Sequence, residues 1–112
     1  MSEDKMKMIV KDIISGLQTI TKNDLESVIL YGSYARGDYD YQSDIDIAVL
    51  LKCNRMEMKA YTDALADFMV DLNLAYDVLV SFCCIPYNEF VEKKNVLPYY
   101  KNIEQEGVKL SA

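Results

Sequence analysis

Apolar residues recur at helical spacing from the start of the chain: Met6, Ile9, Val10, Ile13, Ile14, Leu17 and Ile20 predict an amphipathic helix over 4–21. Gly16 inside it costs about 1 kcal/mol relative to Ala. Asn23 and Asp24 mark a turn into a first strand over 27–31, whose apolar run Val28-Ile29-Leu30-Tyr31 leads straight into Gly32-Ser33. Ser33 is placed to cap a short helix through Tyr34-Ala35-Arg36, ended by Gly37. A polar loop, Asp38-Tyr39-Asp40-Tyr41-Gln42, separates it from a second strand over 45–52. Alternation puts Ile45, Ile47, Val49 and Leu51 on one face of that strand and Asp44, Asp46, Ala48 and Leu50 on the other.

The second half repeats these patterns. Tyr61, Ala64, Leu65, Phe68 and Leu72 give the buried stripe of a helix over 55–73, while Asp63, Asp67 and Asp71 fall on another face. Those aspartates suit a solvated surface as well as a binding one. A third strand is expected over 76–82, with Asp77 near its head and Pro86 beyond its end. Asn88 can cap a helix over 89–95, and Pro98 fits the first residue of a last helix ending at Gly107. The order predicts a small α/β domain with about three strands flanked by helices.

Composition narrows the function. At 112 residues the chain is long enough for one core and reads as a single domain over 1–112. No apolar run approaches the ~20 residues of a membrane span, and the acidic Met-Ser-Glu-Asp-Lys start lacks a secretory core segment, so a cytoplasmic setting is expected. Three cysteines, two of them adjacent as Cys83-Cys84, do not make a disulfide framework. They read as reduced core thiols, with redox activity of the vicinal pair as the alternative. With no histidine, neither a zinc site nor a histidine-based triad is expected. A net charge of −6 argues against a broad nucleic-acid surface, but suits a magnesium-bridged nucleotide or a basic protein partner.

The chemistry concentrates around Gly32 and Asp44. A glycine after a strand lets backbone approach a ligand closely, and a helix opening there presents free N–H groups that favour phosphate. The Ser33 hydroxyl adds a donor, and Arg36 could reach a phosphate as a fork. Asp44 and Asp46 on one strand face repel each other by roughly 4 kcal/mol if ~4 Å apart at an effective dielectric of about 20. A hard cation would relieve that repulsion. Magnesium takes one or two carboxylates together with phosphates and waters. Asp77, on a neighbouring strand, could converge as a third carboxylate; a turn cap and a solvated strand end are the plainer readings of these aspartates. No Gly-Lys-Ser/Thr is present, so P-loop chemistry is not indicated. Tyr31, Tyr34, Tyr39 and Tyr41 surround the motif, where they could stack on a base, accept a nucleotide themselves, or simply pack.

Gly32-Ser33, ten intervening residues and Asp44-Ile45-Asp46 together resemble the signature of the DNA polymerase β-type nucleotidyltransferase superfamily. The fuller form, Gly32-Ser33-Tyr34-Ala35-Arg36-Gly37 with Ser43-Asp44-Ile45-Asp46-Ile47, is similar to its minimal nucleotidyltransferase group. The resemblance implies a mixed sheet, two magnesium ions, and transfer of a nucleoside monophosphate, AMP from ATP, to a hydroxyl. Carried over by position, Gly32 and Ser33 would hold the triphosphate, with Arg36 and Ser43 as further nucleotide-binding positions. Asp44, Asp46 and Asp77 would be metal ligands and catalytic residues. Minimal members commonly act as antitoxins to an all-helical toxin of the HEPN type, some of them by adenylylating a toxin tyrosine. A HEPN-type partner in a hetero-oligomer is therefore expected, with neither nucleic acid nor membrane engaged directly. Two alternatives stand beside it: a vestigial site whose protein neutralises its toxin by contact, and the nucleotide-binding subunit of a split small-molecule transferase.

Overall fold

The structure, a computed structural model, describes residues 2–40 and 43–111. Ser2 accepts a hydrogen bond from the Lys5 N–H at 3.1 Å and starts α1 (Glu3–Thr21), with Glu3 and Asp4 in the first turn where the helix dipole favours negative charge. Ile9, Ile13, Leu17 and Thr21 form its buried stripe. Strand β1 (Leu25–Tyr31) follows, then the four-residue α2 (Ser33–Arg36) and strand β2 (Ile45–Leu51). An Asn54–Glu57 capping box opens α3 (Arg55–Met58), and a 3₁₀ turn over Lys59–Tyr61 joins it to α4 (Thr62–Tyr76). Strand β3 (Val80–Pro86), α5 (Tyr87–Lys93), α6 (Pro98–Glu106) and strand β4 (Val108–Ser111) complete the chain.

The sheet is mixed, in the order β3-β2-β1-β4. β1 pairs antiparallel with β2 and β4, whereas β2 and β3 run parallel, joined through α3 and α4. One face, with Val28, Leu30, Ile45, Ile47, Val49 and Leu51, packs on Ile9, Ile13 and Leu17 of α1 and Leu65 and Leu72 of α4. The other, with Ile29, Ala48, Leu50 and Ile85, packs on Phe90 of α5 and Tyr100 and Ile103 of α6. The near-continuous apolar run of β2 is thus covered on both faces, as a central strand requires.

Three expectations change. A fourth strand, β4, pairs along β1 with Leu30 opposite Val108. The predicted helix over 55–73 is two helices with a 3₁₀ turn between them, and the second runs on to Tyr76, whose hydroxyl hydrogen-bonds Asp12 of α1. The third strand accordingly starts four residues later than expected, at Val80, and runs past the expected end at 82 to include Pro86. Asn73 sets this boundary: its side-chain oxygen accepts the Val80 N–H at 2.8 Å, and its carbonyl accepts N–H groups from the turn that follows. Among the described residues no helix is long and apolar enough to cross a membrane.

Candidate functional site

The end of β1 and the start of β2 build the site together. In their antiparallel register Tyr31 lies opposite Asp46, so the Gly-Ser turn and the aspartate pair meet at one end of the sheet. Gly32 adopts φ 76° and ψ −153°, a conformation that only glycine takes readily. A Cβ placed there would sit 2.4 Å from Asp46 Oδ2. The Asp46 carboxylate therefore occupies the space that any side chain at position 32 would need.

Gly32, not Ser33, is the cap of α2, because the chain reverses there at positive φ; Ser33 is the first helical residue. The first bond of the turn runs from the Arg36 N–H to the Gly32 carbonyl at 3.1 Å, which leaves the preceding N–H groups outside the helix's own bonding. Gly37 closes the turn in the left-handed region, its N–H on the Ser33 carbonyl at 2.9 Å. Ser43 anchors the following loop: its hydroxyl accepts the Asp40 N–H at 3.0 Å and its own N–H reaches the Asp40 carbonyl at 3.1 Å. It stands immediately before Asp44 at the head of β2.

Asp46 is half-buried and Asp44 exposed. Burial, then the like charge of Asp44, push the Asp46 carboxyl above its ordinary value, with Arg36 opposing. Arg36 holds Asp38 at 3.2 Å and Glu106 of α6 at 3.4 Å. With Tyr31, Gly32, Tyr99, Asn102 and Glu106 it lines a cleft of about 190 Å³. Complete small-molecule pockets occupy about 300–1,000 Å³, so this cleft is smaller than a whole-ligand site.

Asp77 does not join this group. It is the left-handed C-cap of α4, at φ 53° and ψ 53°, before the strand begins. Asp tolerates that conformation better than most residues, and pairing with β2 begins only after it, where the Leu79 carbonyl accepts the Ile45 N–H at 2.7 Å. Among the described residues no three His, Cys, Asp or Glu side chains gather closely enough to hold a metal ion. Asp77 thus stands outside the pair Asp44 and Asp46 in this structure. Opposite Asp46 on β3 stands Ser81, a position that the sequence reading missed. Recognising Asn73 as the cap of the next strand would have moved the register and exposed it.

The tyrosines mostly pack. Tyr34 and Tyr39 stack on each other, ring centroids 4.3 Å apart. Tyr31 meets Tyr99 of α6 edge-on, their hydroxyls 2.5 Å apart, and burial raises the pKa of both. Tyr41 lies outside the described residues. All three cysteines are free thiols, and burial pushes Cys84 up to about 11, which suits the core reading for that thiol.

A mixed sheet with helices on both faces thus sets a glycine turn against Asp46 at one end of an α/β domain. A family model described as the nucleotidyltransferase domain matches residues 10–110, and the chain belongs to that family. It is a nucleotidyltransferase. Among curated relatives, the candidate protein adenylyltransferase MJ0604 of Methanocaldococcus jannaschii is 30% identical over 107 residues, 96% of each chain. The candidate protein adenylyltransferase MJ0141 of the same organism is 40% identical over 73 residues, 65% of this chain and 72% of the relative. The fold is similar to that of a candidate minimal nucleotidyltransferase, at TM-score 0.63 and 17% identity over 96% of this chain and 95% of the other. It is also similar to a chain of a toxin–antitoxin pair crystallised with AMP-PNP, at TM-score 0.61 and 24% identity over 92% and 73%. A third likeness, at TM-score 0.56 and 21% identity over 95% and 71%, is to a complex of tri-AMPylated Shewanella oneidensis HEPN toxin with MNT antitoxin.

Proposed function

We propose that the protein is a magnesium-dependent adenylyltransferase that moves AMP from ATP to a hydroxyl, a tyrosine by preference, of a HEPN-type toxin to which it is antitoxin. The observation that carries this is the close approach of the Asp46 carboxylate to Gly32, 2.4 Å from a Cβ built there, which sets the glycine turn beside the head of β2, where both aspartates stand. Support for the protein acceptor comes from the names of the M. jannaschii relatives, and for the partner from the toxin–antitoxin neighbours.

The donor set fits magnesium. Asp44 and Asp46 offer hard oxygen ligands, two in number, which is what magnesium takes when phosphates and waters complete its shell. When bound, the ion would neutralise charge on the triphosphate and on the leaving pyrophosphate. The chain's own part is to bind and orient. Gly32 admits the phosphates close to backbone, Ser33 supplies a hydroxyl, and Arg36 borders the same cleft. In the transfer, the acceptor oxygen bonds to the α-phosphorus as the bond to the bridging oxygen breaks. Pyrophosphate leaves, and the hydroxyl proton passes to an oxygen base at the site. The surroundings are those of the cytoplasm, where ATP and magnesium are abundant.

Incubation with α-labelled ATP, magnesium and the product of the adjacent reading frame tests the reading. Label is expected on the partner and should vanish when magnesium is chelated. Label on an added aminoglycoside instead would turn the assignment toward a split small-molecule transferase.

A further inference from the structure

Asp46 has two register neighbours, Tyr31 on β1 and Ser81 on β3. Val80, Phe82 and Cys84 face the α1–α4 side, so Ser81 shares the opposite face with Cys83, Ile85 and Asp46. It is exposed, and paired strands lie about 4.8 Å apart. The β3 side chain beside the carboxylate pair is therefore a neutral hydroxyl. The acidic residue preceding that strand, Asp77, sits in the left-handed turn that ends α4, outside the β2–β3 pairing.

We infer that Ser81 is the third position of the cation site, and that its neutrality leaves the chain a low-charge site that binds its metal firmly only together with a triphosphate. The inference deepens the proposed function and rests on it. Oxygen sites gain affinity with the number of charged ligands, and magnesium gives up its waters reluctantly. Two carboxylates leave most of an octahedral shell to water. A triphosphate supplies further anionic oxygens, so cation and nucleotide each strengthen the binding of the other by the same factor. A carboxylate at position 81 would remove that dependence. In the empty site it would also place a third negative charge beside two.

The test is titration of Mn²⁺ into the full chain, followed by paramagnetic resonance and calorimetry, with and without a non-hydrolysable ATP analogue. The wild type should bind Mn²⁺ at least about tenfold more tightly with the analogue present. Without nucleotide, Ser81→Asp should bind Mn²⁺ at least about tenfold more tightly than the wild type, while Ser81→Ala stays within about threefold. In chelator Ser81→Asp should melt below the wild type, and Mn²⁺ should restore it. Unchanged affinity in Ser81→Asp, or firm wild-type binding indifferent to the analogue, would overturn the inference. Asp44→Asn and Asp46→Asn keep its failure separate from that of the proposed function: if they bind Mn²⁺ as the wild type does, the metal is not at the pair at all.

Discussion

Gly32 is the residue on which the site depends most. Its φ of 76° and the carboxylate oxygen 2.4 Å from a built Cβ combine backbone strain with a direct clash. Gly32→Ala should lower stability by about 1–3 kcal/mol and push the Asp46 side chain off its position. Calorimetric melting and nucleotide titration would check both, with binding expected to fall more than stability. A variant that melts lower but binds nucleotide normally would show that the contact is structural only. Gly32, Ser33, Asp44 and Asp46 were legible as neighbours because their spacing is local and a strand's alternation is regular. Asp77 was not, because its placement turns on whether α4 stops at 73 or runs to Tyr76. A Tyr-Asp-Val-Leu run satisfies a strand pattern as well as it satisfies a helix end and turn. Only the Asn73 side chain, bonding across the turn to Val80, decides between them.

Among the elements, α1 and α4 meet where Gly16 faces Phe68. A Cβ at position 16 would lie 2.1 Å from the Phe68 ring tip, and that ring stacks on Phe82 of β3, centroids 5.8 Å apart. Gly16 is therefore a packing site rather than a simple cost to the helix. Gly16→Ala should destabilise by about 1 kcal/mol net, the overpacking outweighing the gain in helix propensity; a denaturant midpoint that rises instead would contradict this. On the opposite face Arg55 of α3 grips Glu89 of α5 through two bonds, at 3.1 and 2.5 Å, and Tyr100 of α6 hydrogen-bonds the same carboxylate. Arg55 and then Tyr100 hold the Glu89 pKa down to about 2 from the usual 4.5. A depressed carboxyl stabilises the fold above its unfolded value, and that contribution is lost as pH falls from about 4.5 toward 2. Glu89→Gln should thus cost about 1 kcal/mol at neutral pH and flatten the acid limb of the stability curve below pH 4.5. An unchanged acid limb would show that the clamp contributes nothing. The start of the last helix was legible through Pro98, whereas α5 begins at Tyr87, ahead of the expected Asn88 cap, and the Asn54 cap of α3 went unread. β4 was not, since four residues after a glycine carry too little pattern to reveal a strand.

For the whole molecule, one sheet carries two apolar cores and exposes its functional end where β1, β2, β3 and α6 converge. The cleft there is smaller than a nucleotide needs, and the aspartates beside it at the head of β2 are the pair Asp44 and Asp46. Both facts fit a chain that completes its chemistry with groups brought by ATP and by an acceptor protein. The most direct measurement is the rate of AMP transfer from labelled ATP to the HEPN-type partner, compared among the wild type, Asp44→Asn and Asp46→Asn, with toxin neutralisation followed in parallel. The account predicts a fall of at least about a hundredfold in transfer for each variant, with neutralisation falling alongside. Neutralisation that survives both substitutions with no transfer by the wild type would contradict it, and would leave a protein that silences its toxin by contact alone.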